Sequence, residues 1–367
     1  MSLFVINSNV NEIIFDGKDV QKLIFNGVEV WNKITPIDYS SEYFTFECIE
    51  DGSITMNYRY KSTTNGMKQL SYSINGGSWT TKSWNTSTDY RYYSIYGLKA
   101  GDKIRMKSTN TSSWYYYNSS SYYYYSYFTF SGKFKVYGNI YSLSKGDNFT
   151  TATDSLVLDG MFSQYHYNSS NANTGLVDAK NLIIPSAMAA NCYAYMFANC
   201  TDLEYGPNIP DKFSTTLYDG CYKYMFYGCS SMIEGPKSLS AATVKASSYS
   251  YMFYGCSSLV DVPTAGFIRD IENNGCSFMF YGCSNLENAS KFFLQLLGTT
   301  GTGACNYMFY NCSKLSTIRC LIHDYVSGVF NNWVYGVAAS GTFYKNTWAT
   351  WPSGVNGTPN GWSVVDG

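Results

Sequence analysis

Cysteine offers the most chemistry in this chain, and its placement is regular. Of the 11 cysteines, Cys192 and Cys200 flank Met196 at i, i+4, i+8, as Cys221 and Cys229 flank Met225. Cys276, Met279 and Cys283 fall at i, i+3, i+7, as do Cys305, Met308 and Cys312. Thiols so spaced could ligate a metal, pair as disulfides or fill a core. Structural zinc favours tight Cys-x-x-Cys pairs, and the sequence contains none. The two histidines, His166 and His323, lie outside the cysteine positions, and Ser248 stands where a third copy would carry its first Cys. On a helix, eight residues span about 12 Å, beyond the roughly 7 Å Cα reach of a disulfide. Both spacings put the three residues on one helical stripe facing a core. The expected role is therefore a ladder of buried thiols, with no metal and no cofactor.

Catalytic constellations are sparse. His323-Asp324 is adjacent in sequence only, and there is no Gly-x-Ser-x-Gly elbow, phosphate loop or His-Glu-x-x-His helix. The 26 acidic residues leave a glycan-processing carboxylate pair as a remote alternative. No enzyme is expected. Charge is balanced, with 25 basic against 26 acidic residues, which removes the basic excess that nucleic acid or an anionic membrane surface requires. What the chain has instead is tyrosine, 37 residues of it. A tyrosine offers a flat face and a hydroxyl at low entropic cost. Tyr227, Tyr254, Tyr281 and Tyr310 recur at matching positions and are the candidate ligand-binding residues, with rung-to-rung packing as the competing role.

The elements that must position these residues are repeats. Met-Phe recurs at Met161, Met196, Met225, Met252, Met279 and Met308, at intervals of 35, 29, 27, 27 and 29 residues, with an echo at Gly341-Thr342-Phe343. Self-similarity at about 20–29 residues is the period of leucine-rich-repeat solenoids. Asn199, Gly228, Gly255, Gly282 and Asn311 precede the second Cys position, and both residue types tolerate the left-handed conformation that ends a helix. Tyr-Met-Phe is thus expected in a short helical turn, followed by an extended rung that Pro207, Pro236 and Pro263 close.

Upstream, short alternating segments from Tyr43 to about Leu143, separated by turns such as Asn75-Gly76-Gly77, predict a β-sandwich. Tyr115, Tyr116, Tyr117, Tyr122, Tyr123, Tyr124 and Tyr125 lie within it. Side chains alternate across a strand, so these rings cannot all enter one core, and a subunit interface is expected for them. At the N-terminus, Asp16-Gly17 and Asn26-Gly27 sit between alternating apolar residues, a hairpin signal. Phe15, Ile24, Phe25, Val30 and Trp31 then belong to a small β-meander that needs a partner surface. The fold class read from sequence is mainly β. Residues 1–35 form the meander, 36–145 the sandwich, and 146–367 a leucine-rich-repeat-like α/β solenoid with caps. No basic leader precedes an apolar stretch at the N-terminus, and no apolar run approaches the roughly 20 residues of a membrane span. Assembly in a cytoplasm without membrane insertion is the expectation, with a signal already removed from the sequence as the alternative.

The segment Met252-Phe253-Tyr254-Gly255-Cys256-Ser257-Ser258-Leu259 resembles the BspA-like leucine-rich repeat, whose core reads Ala-Phe-x-x-Cys-x-x-Leu. Gly341 to Asn346, Trp351-Pro352 and Gly361-Trp362 resemble the terminal cap of such arrays in gut bacteria and their phages. Ile24 to Trp31 is similar to the opening of phage fibre proteins. The resemblance implies a non-enzymatic virion structural protein of a gut bacteriophage, crAss-like or related, serving as a head or tail fibre that adheres to a host-surface glycan or protein. It implies attachment to other virion proteins through residues 1–35 and a homo-oligomer, trimeric by analogy, on the virion surface. Two alternatives remain: a BspA-like adhesin on a bacterial cell surface, and a purely architectural virion decoration.

Overall fold

The computed structural model describes residues 14–15, 18–19, 22–25, 28–32, 38–59, 69–82, 90–109, 115–118, 122–163, 172–210, 216–239, 241–265, 268–294 and 300–367. For 14–32, 59, 90–91, 115–118, 122–125 and 293–294 the description extends to strand placement only. The chain is mainly β, and among the described residues its only α-helix is the single turn α1 (Ser142–Lys145). It divides into two compact units, Met1–Asp38 and Tyr39–Gly367, and no unit boundary falls near residue 146.

In the first unit, β1 (Ile14–Phe15) pairs with β2 (Lys18–Asp19), and β3 (Lys22–Phe25) with β4 (Val28–Asn32), both antiparallel. Among the described residues these are two two-stranded sheets. Phe15, Ile24, Phe25, Val30 and Trp31 lie on these strands, and the contacts expected of their side chains fall outside the described residues.

The second unit opens with two sheets. The strands are β5 (Phe44–Cys48), β6 (Gly52–Arg59), β7 (Leu70–Ile74), β8 (Thr80–Thr81), β9 (Tyr90–Leu98), β10 (Lys103–Ser108), β11 (Tyr115–Asn118), β12 (Tyr122–Ser131) and β13 (Phe134–Asn139). One sheet runs β13-β5-β10-β7-β8 and the other β11-β12-β6-β9, all antiparallel. Alternation buries Ile104 and Met106 of β10 and Phe134 and Val136 of β13, and Phe46 of the first sheet meets Phe128 of the second at 5.0 Å between ring centroids. The tyrosine run forms the hairpin β11–β12, with Tyr115 opposite Tyr125, Tyr116 opposite Tyr124 and Tyr117 opposite Tyr123. The subunit-interface expectation for those rings concerns side chains outside the described residues.

Both sheets lead directly into the repeats. At one edge β13 pairs in parallel with β14 (Leu176–Asp178) and β15 (Leu182–Ile183). The parallel bridges then continue from Asp178 to Tyr205 and from Tyr205 to Glu234. In the other sheet the Phe128 N–H donates to the Met161 carbonyl at 3.0 Å. Buried Asn173 clamps the junction, its Nδ2 donating to the Phe128 carbonyl at 2.9 Å and the Phe162 carbonyl at 2.6 Å. One apolar core accordingly runs unbroken from Phe44 to Trp362.

Each repeat copy joins the next through short parallel rungs. β16 (Ser238–Leu239) pairs with β18 (Thr264–Ala265), and β17 (Thr243–Val244) with β19 (Asp270–Ile271). The series ends as β20 (Asn288–Leu294), β21 (Thr317–Cys320), β22 (Thr342–Lys345) and β23 (Ser363–Asp366) in one parallel sheet. Rungs at Tyr205, Glu234 and Asp261 are single bridges, each followed within two residues by a proline, whose missing N–H ends a ladder.

The segment containing Tyr-Met-Phe is not helical. In the third copy φ is positive at Ser247, Tyr251 and Gly255, at 56°, 59° and 72°, and the other copies repeat this every fourth residue. A right-handed helix cannot pass through such positions. Tight turns replace it, and alternate N–H groups have different partners. The Met252 N–H donates three residues back, to the Tyr249 carbonyl at 3.2 Å, while the Phe253 N–H crosses to the Met279 carbonyl of the next copy at 2.8 Å. A turn period of four still reproduces the i, i+4, i+8 rule, so Cys192, Met196 and Cys200 all point inward and are fully buried.

Candidate functional site: a double column of aromatic rings

Stacking of the copies brings equivalent side chains into register along the array. Inward, Phe197, Phe226, Phe253, Phe280 and Phe309 stack at 5.3 to 5.5 Å. The second cysteine of each copy sits behind them with a role that sequence did not disclose. Its thiol donates to the Phe carbonyl of the preceding copy: Cys229 to Phe197 at 3.1 Å, Cys256 to Phe226 at 3.2 Å, Cys283 to Phe253 at 3.1 Å and Cys312 to Phe280 at 3.0 Å. These thiols are buried weak donors that satisfy buried carbonyls. All 11 cysteines are buried and unbridged. Burial, the largest cause, pushes the thiol of Cys320 up to about 12 and those of Cys229, Cys256, Cys305 and Cys312 well above their ordinary value.

The first cysteines are not equivalent among themselves. Cys192 and Cys221 align with Ser248, whereas Cys276 and Cys305 take the next position, which in the earlier copies belongs to Tyr193, Tyr222 and Tyr249. The cross-copy bonds fix this alignment: Tyr249 N–H donates to the Gly275 carbonyl and Cys276 N–H to that of Ala304.

Outward, two columns of rings run side by side. Tyr227, Tyr254, Tyr281 and Tyr310, the residues singled out by sequence, stack at 4.9, 4.6 and 4.7 Å, and Tyr335 extends them at 4.6 Å. Beside them stand Tyr195, Tyr224, Tyr251, Phe278 and Tyr307, spaced 4.5 to 4.7 Å. Within a copy the two rings lie 5.4 to 6.0 Å apart and tilt by 34° to 54°. Stacking covers both faces of every interior ring, so what points outward is ring edge and hydroxyl. The flat face assumed from sequence is offered only where a column ends, as at Tyr335, which is 47% exposed.

Sequence reading missed the second column and Tyr335. The first was legible, since the residue before Met is aromatic in all five full copies; Trp333-Val334-Tyr335-Gly336 is aligned with Met308-Phe309-Tyr310-Asn311 by the Phe309 N–H to Trp333 carbonyl bond, which only the structure shows. Gly341-Thr342-Phe343, read as the final echo of Met-Phe, instead enters rung β22.

The electrostatics of this wall are those of neutral phenols. Burial and neighbouring tyrosines raise the pKa values of Tyr254 and Tyr310, and no charged side chain contributes to either. From Ser247 to Ser258, from Asn274 to Asn285 and from Gly303 to Ser313 the sequence contains no charged residue. The wall's cation is Lys223, whose Nζ lies 5.4 Å from the Tyr224 ring centroid. Ion pairs sit on the rungs instead, as in Lys180 with Glu234, Lys245 with Glu272 and Lys291 with Asp261.

Other polar clusters are small. His323 Nδ1 and Asp324 Oδ2 lie 2.7 Å apart, but both residues are exposed. His166 lies outside the described residues. On the first sheet Tyr43 donates to Asp147 at 2.7 Å and Lys107 bonds the same carboxylate at 2.8 Å, a satisfied set that ties residues 146–151 to β10. Among the described residues no group of three His, Cys, Asp or Glu could hold a metal, and no helix is long and apolar enough to cross a membrane. Comparison of the chain with protein-family models, with curated proteins and with solved structures finds no match to any of them.

Proposed function

We propose that this chain is a non-enzymatic phage virion protein, a head or tail fibre built as a β-sandwich followed by a BspA-like leucine-rich-repeat solenoid, which adheres to a host surface. The observation that carries the reading is the outward double column: ten rings in register, on a backbone hydrogen-bonded on both sides, with Lys223 beside Tyr224 as the wall's cation and no charged residue from Ser247 to Ser258, Asn274 to Asn285 or Gly303 to Ser313. Tyr, Ser, Asn and Gly make up that wall, a composition suited to recognition by rigid aromatic and adaptable polar contacts. The hairpins of Met1–Asp38 form their own compact unit, and strands of this size gain stability by adding to a partner's sheet. On this reading they join other virion proteins and the rest of the chain projects. A homo-oligomer, trimeric by analogy, fits a fibre.

Particles carrying the chain test both halves. Deleting residues 1–38 should abolish incorporation, and normal incorporation overturns the attachment role. Labelled full-length chain should decorate host cells. Decoration by a chain stripped of its outward tyrosines, at undiminished strength, overturns the adhesive role of the wall. One observation favours the architectural alternative, namely that stacking covers the interior ring faces; a chain that is incorporated yet binds no cell would establish it.

A further inference from the structure

We propose that the double ring column is a lengthwise site for a linear, uncharged polysaccharide, gripped by phenolic hydroxyls and ring edges rather than by ring faces. The inference rests on the adhesion reading and names the ligand class of the same wall.

Periodicity is the first argument. The outer column repeats at 4.6 to 4.9 Å over five tyrosines. A compact ligand would engage one or two copies and gain nothing from the others. A polymer lying along the stack meets the same groups again at each step, and its weak contacts add through effective concentration. The backbone presenting the rings is already ordered, because each turn bonds to the next copy, so little ordering cost remains on binding.

The chemistry of the outward groups is the second. Side-chain hydrogen bonds link Tyr224 with Tyr251 and Tyr254 with Tyr281, and a phenol that donates to its neighbour retains an oxygen lone pair for a further donor. The ring edge is the positive part of the aromatic quadrupole and suits ligand oxygens. Hydroxyl-rich sugars supply both donors and oxygens. Anionic polymers such as nucleic acids or acidic capsules need arrays of Lys and Arg. The uncharged runs Ser247 to Ser258, Asn274 to Asn285 and Gly303 to Ser313 provide none.

Residue choice at strained positions is the third. Tyr195, Tyr224, Tyr251, Phe278 and Tyr307 have φ between 54° and 59°, where a bulky residue is disfavoured and Gly or Asn is not. The same copies use Asn, Gly or Ser at their other left-handed positions, as at Asn191, Gly220, Ser247 and Gly255. The turn alone therefore does not call for an aromatic residue here. Nor does stacking call for the hydroxyl. Phe278 stacks in the outward column at 4.5 and 4.6 Å without a hydroxyl, and the inward Phe rings stack at 5.3 to 5.5 Å, yet nine of the ten outward rings are Tyr. Ring and hydroxyl together are what the outward face retains.

The test uses the full chain in affinity electrophoresis through gels carrying dextran, mannan, mixed-linkage β-glucan or xylan, with alginate as the anionic comparison. At least one neutral polymer should retard it and alginate should not. The triple variant Y254F/Y281F/Y310F keeps the stack, since Phe278 already sits between Tyr251 and Tyr307 at 4.5 and 4.6 Å. Its Kd for the retarding polymer should rise about tenfold or more, with an unchanged melting temperature, and long oligosaccharides should bind more tightly than short ones. Retardation by alginate alone or by no polymer, a triple variant within about twofold of the parent, or equal affinity for short and long oligosaccharides overturns the inference. Cell binding that survives periodate but not protease also overturns it while leaving adhesion standing. Polysaccharide binding without any cell binding does the reverse.

Discussion

Alkaline titration interrogates the interior of the repeat stack directly. Cys200, Cys229, Cys256, Cys276, Cys283, Cys305, Cys312 and Cys320 are buried, and burial raises every one of their pKa values. In an unfolded chain a thiol titrates near about 8.5. Below that pH both states hold the proton, and the stabilisation is fully present. Above it the unfolded chain releases protons that the native thiols keep, so stability falls with rising pH until the folded values are reached. One pH unit above the unfolded value each thiol costs about 1.4 kcal/mol, and eight of them about 11 kcal/mol. A domain has only about 5–15 kcal/mol in total. The urea midpoint, followed by intrinsic fluorescence in reductant, should be flat to about pH 8 and fall steeply above it, with the fold lost between about pH 9 and 10. A thiol-reactive dye should label none of the eight in the native protein and all of them in urea. A stability that moves by less than about 1 kcal/mol between about pH 7.5 and 9.5, or native-state labelling of these thiols, refutes the reasoning.

Three further outcomes follow from the packing. A Cβ on Gly228 would stand 2.4 Å from the Asn199 Oδ1, and φ there is 70°, so Gly228→Ala should cost about 2 kcal/mol or more in urea unfolding. Gly255 meets nothing nearer than 3.9 Å, and Asn accepts its φ, so Gly255→Asn should stay within about 0.5 kcal/mol. Asn173→Ala strips two carbonyls of their shared donor and should cost about 2–4 kcal/mol, with hydrogen exchange rising at Phe128 and Phe162 together. Cys283→Ala removes one of two donors to the Phe253 carbonyl, the Cys256 N–H remaining, and some volume, for a loss of about 1–3 kcal/mol, while Cys283→Ser, which keeps a donor, should lose less.

Much of this architecture is legible in the letters. The recurrence of Met-Phe marks the five full copies, although the turn at Trp333 to Gly336 that extends the stack has no Met-Phe; Gly228, Gly255, Gly282, Asn199 and Asn311 do take the left-handed conformation expected of them, and Tyr227, Tyr254, Tyr281 and Tyr310 do align along the array. The hairpin signals at Asp16-Gly17 and Asn26-Gly27 lie between strands that pair. Less legible was the junction. Nothing local to Phe134–Asn139 says that this strand, antiparallel on one side, accepts parallel partners on the other, because partner choice across an edge is a long-range decision.

The cysteine spacing marks the division between sequence and tertiary structure most sharply. Sequence alone determined that Cys192, Met196 and Cys200 share an inward row, since any local structure repeating every four residues delivers that result. It could not say whether the repeating structure is a helix or a series of turns. In a helix every N–H is satisfied four residues back within the same segment. Here every second N–H leaves the copy for the next one, and the cysteine thiols reach a carbonyl on the copy before. A single copy holds neither partner. Only the stacked chain, by supplying them, selects the turn over the helix and brings the outward tyrosines into columns.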